Sequence, residues 1–431
     1  MKILVLSQYW YPENGVPQRR WTWLTKLLQN AGHEVLVVAP PPHYKRSIPM
    51  AAWLRGGGLI PALHEETGPN GERILRSGYF PSGRSLARRI LNQGWTAMAM
   101  IVGLISNSEV KRFQPDIVLG TVPALPTSVV AFIAAKRLRA PYVIDLRDAW
   151  PALFRESSEW DAGTSSEPKR KSVLLRVLFQ LLLWCSETAL NAVLHRASGI
   201  ITTSSNLERE LRTAMDKPTA TVRNVFPSAV FPDVGRERTL RATRGEANTL
   251  NVLYAGTLGR AQKLENALIA AKHAQAQGVR ICLRFVGEGA TFDALKQAAV
   301  RYGVDLDLQH QHEPDDLREY YVWADTALVH LTDWESLKVA VPSKTYELMA
   351  NGIHISAVIA GETEQIVRTL HAGHVVAPSD PQALADLWVE LVRNPHQLEV
   401  THEGKQWVEY QRDTVAPAAL LGFFEQVRQL T

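Results

Sequence analysis

The segment VPSKTYELMANG, residues 341–352, carries the clearest arrangement of charged side chains for holding a ligand. Ser343 is a good N-cap for a short helix that would begin at Lys344 and end at the Asn-Gly pair. The unpaired N–H groups and positive dipole end of such a helix attract anions, and Lys344 adds a full charge. Glu347 lies three residues on, near the same face, where its carboxylate can accept hydrogen bonds from two ribose hydroxyls. The segment therefore predicts a nucleotide site; the alternative is a surface helix with a solvated Lys–Glu pair.

Two further segments place cations or a glycine where a strand ends. In YAGTLGRAQKLENAL, residues 254–268, Arg260 and Lys263 lie at the turn between a strand and a helix, where two cations suit a diphosphate. In SQYWYPENGVPQRR, residues 7–20, Gly15 would let the backbone approach a ligand closely. The polar residues around this glycine are Glu13, Asn14, Arg19 and Arg20.

The segment YVIDLRDAWP, residues 142–151, ends a predicted buried strand with Arg147 and Asp148. Charged residues at the carboxyl end of a buried strand rarely serve packing, so a role at the ligand crevice is favoured for this pair. Asp145 lies inside the apolar run. It is either part of the same site or a structural carboxylate whose hydrogen bonds are satisfied.

Several other classes of site are excluded. Two cysteines, Cys185 and Cys282, are too few for a disulfide framework or a thiolate metal site, and the 13 histidines contain no HExxH pair. The GEG at residues 287–289 lacks the third glycine of a dinucleotide loop, and the SKT at 343–345 lacks the glycine-rich cradle of a P-loop. Basic residues do not alternate with aromatic ones as they would along a nucleic-acid channel.

The elements that must position these residues form two series of short apolar strands separated by helical segments. A chain of 431 residues is long enough for two or three domains. Strands that are β-branched and apolar throughout are typical of parallel sheets covered on both faces, so two tandem doubly wound α/β domains are predicted. The strands are predicted at 2–8, 34–40, 116–122, 142–146 and 199–204, then at 251–256, 280–287, 306–311, 326–331, 354–359 and 374–378.

A linker rich in proline, glycine and charge separates the two series. We therefore expect an N-terminal domain over 1–230, a C-terminal domain over 231–410, and a last helix over 411–431 that crosses back onto the first domain. The polar segment 156–172 predicts a mobile surface loop.

One segment suggests contact with a membrane. The N-terminus is interpreted as a first strand rather than a signal peptide, and no window is apolar enough to span a bilayer. Ser82 to Ile105 combines three arginines with an apolar stripe, and the chain carries a net charge of +4. This segment could lie in an anionic membrane interface; the alternative is an amphipathic helix packed on its own sheet.

Taken together, these motifs resemble the GT-B fold glycosyltransferases of family 4, and most of all the bacterial transferases that build envelope polysaccharides. The resemblance rests on YPENG after the first strand, RDAWP, YAGTLGRAQ, VGEG, and PSKTYELMANG followed by GETEQIV, in this order over nearly the whole chain. It implies two Rossmann-like domains, with the acceptor on the first and a nucleotide-activated sugar mainly on the second. The two cysteines favour a reducing, cytoplasmic setting, and a lipid-linked acceptor would place the enzyme at the periphery of the membrane.

The resemblance also assigns residues. Glu347 would bind the donor ribose, and Ser343, Lys344, Gly15, Arg260 and Lys263 would bind the donor diphosphate. Arg147 and Asp148 would position the sugar or the acceptor as the candidate catalytic pair. The chain departs from the family at four positions. Thr257, Gln262, Val339 and Arg147 stand where relatives often have Arg, Lys, Glu and His.

The implied reaction is transfer of a sugar with retention at the anomeric carbon, from a UDP-sugar rather than a GDP-sugar, to a hydroxyl of a glycan or polyprenyl-linked acceptor. The leaving phosphate oxygen would help to take the acceptor proton. Basic side chains would replace a metal, so neither metal nor cofactor is expected. Two alternatives remain open: a nucleotide-sugar epimerase of the same fold, and a membrane-surface module with a degenerate sugar-nucleotide site.

Overall fold

The structure is a computed structural model that describes residues 1–43, 48–55, 64–83, 86–150, 152–156, 173–231, 248–311 and 314–430. The chain divides into two compact units. The first comprises Met1–Phe154, Arg170–Phe226 and Val415–Thr431, and the second comprises Arg155–Lys169 and Pro227–Thr414. The C-terminal segment from Val415 thus groups with the first unit. Residues 232–247 of the predicted linker and 157–172 of the predicted loop lie outside the described residues.

The described residues of the first unit form a sheet of eight strands. The strands are β1 Lys2–Leu6, β2 Glu34–Ala39, β3 His64–Thr67, β4 Arg73–Arg76, β5 Ile117–Val122, β6 Tyr142–Leu146, β7 Gly199–Thr202 and β8 Thr219–Thr221. Their order is β3-β4-β2-β1-β5-β6-β7-β8, and every neighbouring pair is parallel except β3 and β4.

Helices connect these strands. They are α1 Val16–Asn30, α2 Met50–Arg55, α3 Leu86–Ser106, α4 Ser108–Phe113, α5 Pro126–Leu138, α6 Ala152–Arg155, α7 Val173–Arg196 and α8 Ser205–Met215. α3 and α7 both pack against α5, so these three helices form one layer. No helix in the described part of the chain combines the length and hydropathy that crossing a membrane requires.

The second unit contains a parallel sheet of six described strands. They are β9 Thr249–Ala255, β10 Arg280–Val286, β11 Leu306–Gln309, β12 Thr326–His330, β13 Ile355–Val358 and β14 Gly373–Val376. Their order is β11-β10-β9-β12-β13-β14. The chain runs outward from β9 to β11 and then returns to the other side of β9 with β12. The crevice at the carboxyl ends of β9 and β12 is where sheets of this order bind ligands.

The helices after residue 248 follow the same alternation. They are α9 Glu265–Ala276, α10 Phe292–Tyr302, α11 Arg318–Trp323, α12 Glu335–Lys338, α13 Ser343–Ala350, α14 Glu362–Thr369, α15 Pro381–Arg393, α16 Glu403–Tyr410 and α17 Ala416–Leu430. Short 3-10 turns occur at Arg260–Gln262, Pro314–Leu317 and Pro395–Leu398, and a π-helical turn at Gln411–Val415 precedes α17.

The central strands of both sheets are buried on both faces, which explains their apolar residues. Ile3, Leu4, Val5 and Leu6 of β1 are all fully buried although successive side chains point to opposite faces. The prediction of two doubly wound α/β domains is confirmed, and all eleven predicted strands are present. β3, β4 and β8 were not predicted. β3 is an exposed edge strand, so no apolar pattern marks it.

The Ser82–Ile105 segment forms α3 from Leu86 onward. One face is packed, with Thr96 and Met100 fully buried. The opposite face is exposed and apolar, with Leu91 and Met98 among its residues. Packing therefore explains only one side of this helix.

Candidate functional site

The candidate site lies at the carboxyl end of the second sheet, where β9, β10 and β12 finish close together. Two glycine turns, Gly256–Gly259 and Gly287–Gly289, follow β9 and β10 and are tied by backbone hydrogen bonds. The Gly256 N–H donates to the Val286 carbonyl at 2.9 Å, and the Leu258 N–H donates to the Glu288 carbonyl at 2.9 Å.

These two turns pack too closely for any side chain to fit between them. A Cβ added at Gly287 would lie 1.8 Å from the Gly256 carbonyl oxygen, and one added at Gly289 would lie 1.9 Å from the Leu258 carbonyl oxygen. The GEG sequence that fails as a dinucleotide loop is therefore required by the contact between two turns.

The side chain of Lys344 reaches this point from α13. Its Nζ lies 3.5 Å from the centroid of the Tyr254 ring and is buried without a hydrogen-bond partner among the described residues. Burial lowers the pKa of Lys344 to about 7, and the charge of Glu347 opposes this effect. Gly256 makes room for the amine, because a Cβ there would lie 2.9 Å from Nζ. A buried amine with no partner is costly alone and is well suited to an anion.

His330, the last residue of β12, adds a neutral imidazole to the same region. Burial, together with the charges of Lys263 and Lys344, lowers the pKa of His330 to about 3. Both ring nitrogens are buried, and neither has a hydrogen-bond partner in the part of the chain that the structure describes. A neutral imidazole can donate one hydrogen bond and accept another, so it can hold a polar ligand without adding charge.

Glu347 is held in place by Tyr321, which the sequence did not indicate, and by Asn351 at the end of α13. The Tyr321 hydroxyl donates to Oε1 of Glu347 at 2.9 Å, and Tyr321 is almost fully buried. The Asn351 amide donates to the backbone carbonyl of Glu347 at 2.9 Å and to that of Ala229 at 3.1 Å. The carboxylate is thus oriented before any ligand arrives, with its second oxygen available for further hydrogen bonds.

One local prediction is wrong. Ser343 is the first residue of α13, and Pro342 is the N-cap, with extended backbone and no side-chain capping bond. Pro342 disfavours helical backbone at the residue before it, and its own backbone is extended. The helix therefore begins directly after Pro342. The Ser343 and Lys344 N–H groups remain in the first turn, where helix N–H groups lack partners within the helix.

Arg260 and Lys263 flank the 3-10 turn after β9. Both are exposed, and Lys263 adopts left-handed backbone with φ of 37°. The Thr332 N–H donates to the Ala261 carbonyl at 2.8 Å, which ties this turn to the end of β12. The structure therefore brings Lys263, Lys344, Ser343 and Glu347 to one end of one sheet, with Arg260 on the same turn as Lys263.

The remaining predicted residues belong to the first unit. Gly15 is the N-cap of α1, in extended backbone that any residue can adopt. Arg147 follows β6; its carbonyl accepts from the Thr203 hydroxyl at 2.9 Å, and its Nε and Nη1 are buried without partners among the described residues. Burial lowers the pKa of the Arg147 guanidinium, and the charges of Asp145 and Asp148 oppose this. Asp148 itself is exposed.

Asp145 of β6 lies in the core of the first unit. Asp145 is fully buried, and its carboxylate accepts hydrogen bonds from Arg20 at 2.9 Å and from the Trp21 indole at 2.9 Å. Arg20 also donates to the Val222 carbonyl at 2.7 Å. Asp145 is therefore a structural carboxylate, and Arg20, one of the polar residues near Gly15, is its partner rather than a free ligand group.

Two glycosyltransferase family models match this chain. A family model described as "Glycosyl transferase 4-like domain" matches residues 15–225, and one described as "Glycosyl transferases group 1" matches residues 237–413. The chain is 24% identical over 315 residues to the "Putative colanic acid biosynthesis glycosyl transferase WcaI" of Escherichia coli strain K12, which covers 70% of each protein.

Solved structures share the fold over the full length. Sucrose-phosphate synthase (tll1590) from Thermosynechococcus elongatus has a TM-score of 0.67 at 17% identity, covering 100% of this chain and 98% of that one. HepE from Anabaena, solved in complex with UDP and glucose, has a TM-score of 0.59 at 15% identity, covering 100% and 99%. Two doubly wound units, each matched by a glycosyltransferase family model, show that the chain belongs to the GT-B glycosyltransferases of family 4.

Proposed function

We propose that this glycosyltransferase moves a hexosyl or acetamidohexosyl group from a UDP-sugar to a hydroxyl of a glycan or polyprenyl-linked acceptor. The reaction would retain the anomeric configuration, need no metal, and serve bacterial envelope polysaccharide synthesis. The names of two relatives support the substrates: HepE was solved with UDP and glucose, and WcaI is named for colanic acid biosynthesis.

The buried amine of Lys344 is the observation that carries this proposal. Nothing described within hydrogen-bond reach of its Nζ compensates the charge, and the N-terminus of α13 lies beside it. A donor diphosphate would supply the missing negative charge and would accept from Lys344 and from the N–H groups of Ser343 and Lys344. Arg260 and Lys263 would contribute from the turn after β9.

These cations would also drive the chemistry. Breaking the bond to the anomeric carbon leaves negative charge on the diphosphate, and fixed positive groups stabilise that charge as it develops. The leaving phosphate oxygen would take the proton of the attacking acceptor hydroxyl on the same face, so the enzyme needs no carboxylate nucleophile. Arg147 and Asp148 would position the transferred sugar or the acceptor. Because cations already neutralise the diphosphate, chelating agents should leave the rate unchanged.

The decisive experiment measures release of UDP from UDP-glucose and UDP-N-acetylglucosamine, with and without oligosaccharide or polyprenyl-diphosphate-sugar acceptors. The anomeric configuration of the product is then read by NMR. A transferase releases UDP in proportion to acceptor and gives a retained linkage. Conversion of one UDP-sugar into its epimer would identify the epimerase alternative, and binding without turnover in any mixture would identify the degenerate module. An inverted product would overturn the mechanism while leaving the transferase.

Glu347→Ala is expected to weaken binding of UDP by about tenfold to a hundredfold, because hydrogen bonds to a charged group contribute about 1.5 to 3 kcal/mol. Tyr321→Phe should cost about threefold to tenfold, since the carboxylate loses the donor that orients it. Titration calorimetry with UDP and 2′-deoxy-UDP checks this assignment. The wild-type protein should prefer UDP, and the preference should vanish in Glu347→Ala; an equal preference in both proteins would place the ribose elsewhere.

Binding of UDP-sugar should also weaken as the pH rises. The pKa of Lys344 is about 7 in the free protein, and a bound diphosphate raises it because it favours the charged amine. The protonated fraction falls from about one half at pH 7 to about one tenth at pH 8, so affinity should fall about fivefold. Calorimetry in buffers of different ionisation enthalpy should detect proton uptake. A flat affinity between pH 7 and pH 9 would contradict the assignment.

A further inference from the structure

The guanidinium of Arg147 carries a charge that no described residue contacts. Arg147 directly follows β6, and the Thr203 hydroxyl fixes its backbone by donating to its carbonyl at 2.9 Å. Its Nε and Nη1 are buried with no hydrogen-bond partner, and no ion pair joins it to a carboxylate in the part of the chain that the structure describes. The residue as a whole remains partly exposed, so it is not sealed in the core.

Two other buried arginines of the first unit are fully partnered. Arg20 is fully buried and donates to Asp145 at 2.9 Å and to a backbone carbonyl at 2.7 Å. Arg76 is 1% exposed and donates to Glu66 at 2.8 Å and to two backbone carbonyls. A guanidinium stays charged in proteins, so burying its donors without partners is costly. The contrast marks Arg147 as a binding group for an anion that the protein itself does not supply.

The two acidic residues next to Arg147 in the sequence do not compensate it by contact. The Asp145 carboxylate already accepts hydrogen bonds from Arg20 and from Trp21. Asp148 is exposed, and its carboxylate forms no ion pair with the guanidinium of Arg147. A ligand anion would therefore be the first group to pair with this guanidinium.

Neutral polar groups lie at the same carboxyl edge of the first sheet. Gln8 Oε1 and Trp10 Nε1, after β1, and His43 Nε2, after β2, are buried without hydrogen-bond partners among the described residues. His43 Nδ1 lies 3.0 Å from the Pro41 carbonyl, which can only accept, so Nε2 of the neutral ring is an acceptor. Sugar hydroxyls can both donate and accept. An edge with one unpaired cation and several neutral polar groups suits a sugar that carries an anionic group.

We propose that Arg147 binds an anionic group of the acceptor, so that the enzyme glycosylates an acidic sugar in preference to a neutral one. A planar guanidinium pairs more strongly with carboxylates and phosphates than with hydroxyls. A uronic acid carboxylate and a sugar phosphate share this chemistry and are the two sources of the anion. The inference rests on the proposed function, because it assigns the acceptor to the first unit, while Lys344 and α13 in the second unit match the donor diphosphate.

Sugar binding to the full chain, measured by saturation-transfer NMR with and without UDP, tests this proposal. The probes are methyl glucoside, methyl glucuronide and methyl glucoside monophosphate. The wild type should bind one or both charged probes at least about tenfold more tightly than the neutral one, because ionised partners strengthen hydrogen bonds. The tighter of the two charged probes identifies the source of the anion.

Variants of Arg147 connect the preference to this side chain. Arg147→Met should abolish the preference, and Arg147→Lys, which keeps the charge, should retain part of it. Arg147→Met should also raise the thermal unfolding midpoint of the ligand-free protein by a few degrees, because it removes a buried charge that has no partner. Arg137→Met, at an exposed arginine of α5, is the matched control and should keep both the preference and the midpoint of the wild type.

Each outcome decides the proposal. Loss of the preference in Arg147→Met with unchanged UDP affinity supports it, since the variant is then folded. No preference in the wild type, a preference that persists in Arg147→Met, or a lower midpoint in that variant overturns it. A preference for UDP-glucuronic acid over UDP-glucose that depends on Arg147, with none among the three probes, would place the anion on the donor and overturn the assignment to the acceptor. Failure of the wild type to bind UDP contradicts the proposed function alone, because the probes are also titrated without UDP.

Discussion

A methionine in place of Lys344 is expected to weaken binding of UDP-sugar by about a hundredfold or more. The side chain of methionine fills similar space beside the Tyr254 ring but supplies no charge and no donor. A diphosphate entering the site would then lose its central cation in a region sheltered from water, where charge-assisted hydrogen bonds are strongest. Titration calorimetry with UDP-glucose measures the loss.

The same substitution should make the ligand-free protein more stable. Lowering the pKa of Lys344 from 10.5 to about 7 corresponds to about 5 kcal/mol of unfavourable burial of the charged form. Loss of the contact with the Tyr254 ring offsets about 2 kcal/mol of the gain, and altered packing offsets a little more. We therefore expect about 2 kcal/mol of added stability near pH 7.

The stability difference between the wild type and the methionine variant should depend on pH. Between pH 7 and 10.5 the unfolded chain holds the Lys344 proton and the folded chain does not, so the wild type gains stability as the pH rises. The methionine variant lacks this gain, and its advantage should shrink toward pH 10. Lys296→Met, at an exposed lysine of α10, should change neither affinity nor stability. A Lys344→Met protein that is less stable and binds UDP-glucose normally would contradict both statements.

Alanine at Gly287 should have the second large effect, a loss of about 3 kcal/mol or more in the stability of the second unit. Its Cβ would lie 1.8 Å from the Gly256 carbonyl oxygen, so the two glycine turns would have to separate. Separation would also break the hydrogen bond from Gly256 to Val286 and move Gly256 away from Nζ of Lys344. Nucleotide affinity should fall with stability.

Urea unfolding and calorimetry with UDP check this second prediction. Gly422→Ala is the matched control, because a Cβ there meets nothing within 4 Å and the residue lies inside helix α17. Alanine should be neutral or slightly stabilising at that position, as it is in most helices. An unchanged unfolding midpoint for Gly287→Ala would show that the turns are looser than their contacts indicate.

The sheet strands were predictable because burial on both faces imposes apolar residues at every position. β1, with Ile3 to Leu6 fully buried, is a plain case. β3 has no buried residue, and β8 has only three residues at the sheet edge, so neither leaves a pattern to read. The family motifs can be recognised in the sequence without knowing where the strands lie.

Within the site, the sequence indicated the residues that face each other along one helix. Lys344 and Glu347 are three residues apart on α13, and helical spacing alone places them together. Tyr321 comes from another helix and His330 from the end of a strand, and both look like ordinary core residues in the sequence. The sequence left open whether Asp145 belongs to the same site as Arg147. In the structure, the Asp145 carboxylate is fully paired with Arg20 and Trp21.

Local periodicity and motif order were enough to predict the two parallel α/β units, the family, and the cation and carboxylate of α13. Only the folded structure shows that the Lys344 amine is buried against Tyr254 with no hydrogen-bond partner among the described residues, and that Gly287 and Gly289 serve turn packing. The structure also shows that α3 and α7, which both pack against α5, each leave apolar side chains exposed. These features depend on contacts between residues that are distant in the chain. Neither the spacing nor the type of a residue tells which distant residues it contacts in the folded protein.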